Sequence, residues 1–380
     1  MERFALSRMK EWKENENRKP LIIRGARQVG KTWIMKTFGQ QYFEKTAYVN
    51  FDNNARMKQV FEGDLDIERL VLSISAETGV SIEAENTLII FDEVQEVPKA
   101  LTSLKYFYEN APQYAIVAAE SLLGVALHQG TSFPVGKVDF LDLYPLNFRE
   151  FLCAMGEKQF VSMLDSCDTQ MVTVFKTKYI ERLREYYFVG GMPEVVKDFS
   201  EKKDYNRVRA IQKNLINYYQ QDFSKHAEIK LVPRLNLVWN SIPMQLAKEN
   251  KKYIYGQVRE GSRAKDFELA IQWLLDCGLI HKVQRIQKPD LPLKAYIDFD
   301  AFKLFLVDIG LLIAMTDLDA KVIIEGNKIF TEFKGALTEQ YILQQLISDV
   351  GVIPYYYSTQ NSKGEIDFLV QGKHLLFQLK

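Results

Sequence analysis

Gly25-Ala26-Arg27-Gln28-Val29-Gly30-Lys31-Thr32 follows the apolar run Leu21-Ile22-Ile23 and precedes a helical pattern through Trp33, Met35 and Phe38. No other stretch of the chain constrains the fold as tightly. An apolar strand that passes through a glycine-bearing loop into a helix builds a phosphate cradle, a P-loop. The two glycines let the backbone curl until its N–H groups face phosphate oxygens. Lys31 is spaced to reach β- and γ-phosphates, and the Thr32 hydroxyl is a hard oxygen suited to Mg²⁺. The helix that follows directs the positive end of its dipole at the same anion. Gly25, Ala26, Arg27, Gln28, Val29, Gly30, Lys31 and Thr32 are therefore the expected ATP-binding segment, with Thr32 as a metal ligand.

A P-loop needs an acidic partner, and Leu88-Ile89-Ile90-Phe91-Asp92-Glu93 supplies one. A short apolar run ending in carboxylates is what a buried parallel strand looks like when it delivers acids to its C-terminal edge. Asp92 is the expected second ligand of Mg²⁺, acting through the ion's water shell, and Glu93 the residue that orients or activates an attacking water. Tyr114 to Ala118 forms another short strand that ends at Ala119-Glu120-Ser121. Ser121 is a candidate γ-phosphate sensor there, or equally the N-cap of a helix that begins with Leu122 and Leu123. Before the P-loop, Phe4, Leu6, Met9 and Trp12 sit near helical spacing. After it come a strand at Ala47 to Phe51 and a helix capped by Asp66 and running to Thr78. Lys137 to Leu143 alternates as a final strand, and Pro145 to Phe151 starts a helix. Strand and helix signals thus alternate from Leu21 to Phe151, the pattern of an α/β parallel sheet with helices on both faces.

Length and charge limit what else the chain can be. With 380 residues, 47% of them hydrophobic, it can bury more than one core. Its 49 basic and 49 acidic residues cancel. Any attraction to nucleic acid or membrane must then come from a local patch. Cys153, Cys167 and Cys277 and the four scattered histidines support neither a disulfide framework nor a zinc site. The first residues lack the apolar core of a signal peptide, and the most apolar stretch, Phe302 to Met315, is too short to span a bilayer. A cytoplasmic location is expected.

The middle of the chain reads as helices. One is expected from Thr169 to Phe188 with Val172, Phe175, Tyr179, Leu183 and Tyr186 on one stripe, and it stops at Gly190-Gly191. Others are expected at Asn206 to Gln221, Ile242 to Glu249 and Ala264 to Cys277, followed by an extended segment that starts near Ile280 and returns near Tyr296. Helices followed by a two-stranded ribbon match a winged helix-turn-helix. Lys251, Lys252, Arg259, Arg263 and Lys265 are then a local basic cluster, and residues 251–272 the expected contact surface for DNA or a protein.

In the tail, a helix opens at Phe333-Lys334-Gly335 and strands follow at Tyr355 to Ser358, Glu365 to Val370 and Leu375 to Lys380. A helical Glu339, a strand Asp367 and a later strand ending in Lys380 resemble the core of restriction-endonuclease-like nucleases. There an Asp and a Glu hold Mg²⁺ and the lysine polarises water or phosphate. Gln378 stands where the resemblance expects the second carboxylate. The sheet is also expected to be incomplete, because a helix and a strand that normally close it do not follow.

The P-loop, Phe91-Asp92-Glu93-Val94-Gln95, Leu143-Tyr144-Pro145-Leu146-Asn147-Phe148-Arg149-Glu150-Phe151 and Gly190-Gly191-Met192-Pro193-Glu194 together resemble a large family of prokaryotic AAA-type ATPases with a C-terminal domain of unknown function. The resemblance implies Gly-Ser at the sensor position, where this chain has Glu120-Ser121. It also implies an arginine finger after Gly136, where this chain has Lys137. Lys137 is carried over as a catalytic candidate, although lysine lacks the bidentate geometry of arginine, and Arg149 is a substitute. Three domains are expected: a P-loop ATPase at 1–155, a helical and winged-helix domain at 156–300, and a small α/β endonuclease-like domain at 301–380. The expected function is a Mg²⁺-dependent ATPase that acts as a nucleotide-driven switch on DNA or protein. A nucleotide-gated scaffold with little hydrolysis, and an ATP-controlled DNA nuclease, are the alternatives.

Overall fold

The computed structural model describes residues 1–120, 134–248, 252–324, 331–359, 364–372 and 376–379. The chain separates into two compact units, Arg3–Tyr144 and, together with Met1–Glu2, Pro145–Lys380.

Five strands form the sheet of the first unit: β1 (Leu21–Arg24), β2 (Lys45–Asn50), β3 (Thr87–Asp92), β4 (Ala115–Ala119) and β5 (Asp139–Asp142). They lie in the order β2-β3-β4-β1-β5, and every pairing is parallel. After α1 (Ala5–Glu14), which precedes the sheet, parallel neighbours need crossovers, which here include α2 (Lys31–Tyr42), α3 (Ala55–Glu62), α4 (Ile67–Thr78) and α5 (Pro98–Asn110). Their starts are encoded locally. The Asn54 side chain accepts the Met57 N–H, the Asp66 side chain accepts the Arg69 N–H, and Pro98 opens α5. Every residue of β3 and β4 is buried, and Phe51, Phe61 and Phe91 meet edge to face at 5.4 to 5.7 Å in the core. The chain leaves β1 toward β2 at one side of the sheet and leaves β4 toward β5 at the other. The connections therefore diverge at the adjacent strands β1 and β4, a topological switch point whose carboxyl edge is the usual ligand crevice.

The second unit is mainly helical around a mixed sheet. It contains α6 (Phe148–Ala154), α7 (Lys158–Asp165), α8 (Thr169–Val174), α9 (Lys176–Val189), α10 (Pro193–Lys202), α11 (Tyr205–His226), α12 (Val232–Leu246), α13 (Tyr255–Val258) and α14 (Ala264–Asp276). Then follow β6 (Ile280–Ile286), β7 (Ile297–Leu306), α15 (Ile309–Met315), α16 (Ala320–Ile324), α17 (Thr331–Gln345), β8 (Tyr355–Ser358), β9 (Glu365–Gln371) and β10 (Leu376–Leu379). The single helix expected from Thr169 to Phe188 is divided at Phe175, whose ring turns in against Phe160 at 5.9 Å. The sheet order is β10-β9-β8-β6-β7, with only β6 and β8 parallel. The ribbon expected to be a wing and the strands expected to form a separate tail domain are thus one sheet. The expected boundary at 300/301 falls inside β7, and that at 155/156 lies past the end of the first unit.

The Gly190-Gly191 pair has a packing role in this unit. A Cβ at Gly190 would stand 2.2 Å from Asp308 Oδ1, and one at Gly191 would stand 2.1 Å from the Leu146 carbonyl oxygen. Buried Asp308 accepts the Gly191 N–H at 2.6 Å, and the Tyr186 hydroxyl donates to the Leu146 carbonyl at 2.6 Å. Close backbone approach, with no room for a side chain, explains why glycine stands at both positions.

Candidate functional site

The P-loop leaves β1 at Arg24, at the switch-point edge. Gly25 has φ +145°, and a Cβ there would meet the Leu143 carbonyl oxygen at 2.1 Å, so only glycine lets the loop pass the chain leaving β5. Gln28 at φ 65° and Gly30 at φ 95° complete the curl, and α2 begins at Lys31. Arg3 braces the loop from behind. The residue is 6% exposed, and its guanidinium donates to the Val29 carbonyl at 3.0 Å and the Tyr144 carbonyl at 2.6 Å.

Lys31 folds back over the loop, its ammonium donating to the carbonyls of Gly25 and Ala26, both at 2.8 Å. Burial pushes its pKa down to about 8, against the pull of Glu93 and Asp92. An anion in the cradle would offer this ammonium a stronger acceptor than a neutral carbonyl. Beside it, the Thr32 hydroxyl donates to Asp92 Oδ2 at 2.7 Å. The same carboxylate oxygen accepts the Tyr48 hydroxyl at 2.8 Å, and Oδ1 accepts the Glu93 N–H at 3.1 Å. Burial, then the charge of Asp92, raises the Tyr48 pKa, so its proton stays on the hydroxyl. Glu93 sits in the left-handed region at φ 52°, and its carboxylate accepts from Gln95 Nε2 at 2.5 Å.

Thr32 and Asp92 are therefore brought together, with Lys31 and Glu93 adjacent to them in the chain. A curled loop at a helix N-terminus, an ammonium, a hydroxyl and a carboxylate fit the phosphates of ATP with Mg²⁺. Thr32 and Asp92 would hold the ion.

Other expected residues lie elsewhere. Ser121 lies outside the described residues. Lys137 precedes β5, whose first residue, Asp139, pairs with Leu21, the first residue of β1. The P-loop leaves the opposite end of β1, roughly 13 Å further on at 3.3 Å per residue. Lys137 instead reaches Glu109 at 3.1 Å and the ring of Tyr108 at 5.4 Å. Strand direction thus places Lys137 at the amino edge of the sheet, away from its own cradle. Arg149 pairs with Asp165 at 2.5 Å and Asp349 at 3.0 Å within the second unit.

Glu339 and Asp367 do converge, but around a cation of the protein itself. The Lys303 ammonium, with a side chain 1% exposed, stands 3.1 Å from Glu339, 2.8 Å from Glu365 and 3.8 Å from Asp367. A lysine thus stands among the acids that the nuclease resemblance singled out. Among the described residues no group of three or more His, Cys, Asp or Glu side chains is disposed to hold a metal. Lys380 is outside the described residues, and for Gln378 only the pairing with Leu369 in the sheet is described.

In the 251–272 stretch, Lys251 is outside the described residues. The Arg263 N–H donates to Asp266 Oδ2 at 2.8 Å at the start of α14, whose exposed face carries Lys265, Glu268, Leu269 and Gln272. The Tyr253 N–H donates to the Phe302 carbonyl at 2.8 Å, which ties the segment before α13 to β7.

Residues 17–152 match the family model of an AAA domain. The sheet, P-loop and acid-tipped strand described above all fall within that match. Residues 180–322 match the model of a domain of unknown function, DUF8612. The Walker-type ATPase PABY2304 of Pyrococcus abyssi aligns over 83% of this chain and 95% of its own, at 15% identity and a TM-score of 0.51, a likeness of fold. The Aeropyrum pernix ORC1 protein, solved in complex with DNA, aligns over 82% of this chain and 91% of its own at 12% identity, with a TM-score of 0.29. The RuvB Holliday junction branch migration motor of Thermotoga maritima aligns over 73% and 87% at 10% identity, with a TM-score of 0.32. No curated protein matches the chain. No helix among the described residues is long and apolar enough to cross a membrane.

Two site residues escaped the sequence reading, Arg3 and Tyr48. Tyr48 carried a weak signal, because strand alternation in Ala47-Tyr48-Val49-Asn50-Phe51 sets it on the opposite face from the core residues Ala47 and Val49. Arg3 carried none.

Proposed function

We propose that the AAA domain binds Mg²⁺-ATP at Gly25 to Thr32 and hydrolyses it, and that nucleotide state drives a switch acting on a DNA or protein partner. The observation that carries this reading is the 2.7 Å hydrogen bond from Thr32 to Asp92, which joins two side chains 60 residues apart at the mouth of the P-loop. The loop N–H groups and the helix dipole hold the phosphates, and Lys31 exchanges its two carbonyl acceptors for phosphate oxygens. Mg²⁺, when bound through Thr32 and Asp92, supplies further neutralisation of the charge that develops on the transferring phosphoryl group. Glu93 accepts a hydrogen bond from the attacking water and aligns it. Lys31→Ala is expected to weaken ATP binding roughly 100-fold, the scale of losing charge-assisted hydrogen bonds from a buried site, in a titration with fluorescent nucleotide. Unchanged affinity would overturn the reading.

A nucleotide-gated scaffold with little turnover is the second reading. It is favoured by the acid Glu120 near the cradle and by the placement of Lys137 at the far edge. Steady-state phosphate release separates the two, since rapid release without any partner excludes the scaffold. An ATP-controlled nuclease is disfavoured by Lys303 among the tail acids; Mg²⁺-dependent DNA cleavage that disappears in Asp367→Ala would restore it. The order α12, α13, α14 and the β6–β7 ribbon supports a winged helix as the partner-binding element. Glu268 and Leu269, exposed beside Lys265, suit a protein surface better than a phosphate backbone.

A further inference from the structure

Glu120 stands at the end of β4, where Ile23 pairs with Ala119 and the Glu120 N–H donates to the Ile23 carbonyl at 3.3 Å. Its backbone therefore lies beside the last residues of β1, just before the P-loop begins. The residue is 1% exposed, and among the described residues neither carboxyl oxygen has a hydrogen-bond partner. Buried polar groups without partners are rare and call for a reason. The charges it faces are Glu93, from the tip of β3, and Lys31, from the P-loop. Glu93 repels an ionised carboxylate, and Lys31 already donates to two loop carbonyls. With Glu93 proposed above to align the attacking water, the charge interaction of Glu120 with it assigns Glu120 to the terminal-phosphate end of the cradle.

We propose that Glu120 distinguishes a triphosphate from a diphosphate: its neutral carboxyl donates a hydrogen bond to the terminal phosphate, so that binding ATP takes up a proton from solvent that binding ADP does not. This rests on the ATP-binding reading above. An ionised Glu120 would repel the γ-phosphate, whereas the protonated form has an O–H that lacks only an acceptor. Burial, reinforced by Glu93 and opposed by Lys31, pushes the carboxyl up to about 8. Above that pH the free protein must regain the proton before a triphosphate can settle. The Lys31 ammonium also loses its proton near pH 8. It meets two phosphates in ATP and one in ADP, so the comparison with Glu120→Gln, which keeps Lys31, isolates the contribution of Glu120.

The test is isothermal titration of Mg²⁺-ATP and Mg²⁺-ADP into the full chain, between pH 7 and pH 9, in buffers of different ionisation enthalpy. The ATP/ADP affinity ratio is expected to fall about tenfold from pH 7 to pH 9, as one proton is linked to one binding event. Proton uptake at pH 8.5 should be about three quarters of a proton greater for ATP than for ADP. In Glu120→Gln both the ratio change and the extra uptake should fall to the share that Lys31 contributes. Equal uptake for the two nucleotides in the native protein, or an undiminished difference in Glu120→Gln, would overturn the assignment while leaving ATP binding intact. Failure of the native protein to bind either nucleotide would remove the ATP reading itself, and this inference with it.

Discussion

A methyl group on Gly25 would stand 2.1 Å from the Leu143 carbonyl oxygen, at a φ of +145° where L side chains are rarely accommodated. Gly25→Ala is expected to cost on the order of 3 kcal/mol, by strain and overpacking together, read as a lower denaturant midpoint for the first unit. It should also weaken nucleotide binding, because the loop can no longer pass Leu143. Residue type matters as much at Asp92, which accepts from Thr32, Tyr48 and the Glu93 backbone at once. The carboxylate is thereby held in one orientation, by donors on α2 and β2 as well as by its own strand end. The glycine could be anticipated from its motif. The Tyr48 contact could not, since it depends on which strand lies next to β3.

Lys303 shows the same dependence one level up. From β7 it reaches Glu339 on α17 and Glu365 and Asp367 on β9, joining elements 36 to 64 residues away in the chain. Burial opposes its charge, but Glu339 and Glu365 outweigh that and hold its pKa above the ordinary lysine value. Lys303→Met is expected to destabilise the second unit by about 3 kcal/mol, because it leaves Glu339 buried without its cation. Adding Glu339→Gln to that variant should recover part of the loss, a coupling that a double-mutant cycle in chemical denaturation would measure. Strict additivity of the two changes would mean that the pair does not interact. The helices around this sheet were largely legible in the sequence, since α14 and α17 have apolar stripes of helical period. Their assembly with the β6–β7 ribbon into one sheet was not.

At the scale of the molecule the charges cancel, so pH sensitivity comes from buried groups. His281, on β6, is half-buried in the second unit, and burial pushes its pKa from 6.5 down to about 4. A lowered folded value means that the unfolded chain takes up the proton first as pH falls. The stability contribution of the neutral imidazole is therefore present above pH 6.5 and lost between pH 6.5 and pH 4. The loss is expected to reach at most about 3 kcal/mol, in urea midpoints of the second unit followed across that window. His281→Gln should flatten the dependence; a variant that follows the native curve would assign the acid sensitivity to other groups.

The sequence by itself determined the P-loop, the acid-tipped strand, the α/β alternation of the first unit and most helix positions. Each of these depends on residues within one strand or one turn: glycines at fixed spacing, an apolar run, a side-chain cap, a period of 3.6. Only the tertiary structure decided that Asp92 meets Thr32, that Arg3 braces Val29, and that a lysine fills the tail's acidic cluster. It also decided that Lys137 stands at the wrong edge of the sheet to serve its own cradle. Those outcomes follow from strand order, strand direction and packing between residues far apart in the chain. Such pairings are selected by burying surface across the whole unit, and no local pattern records them.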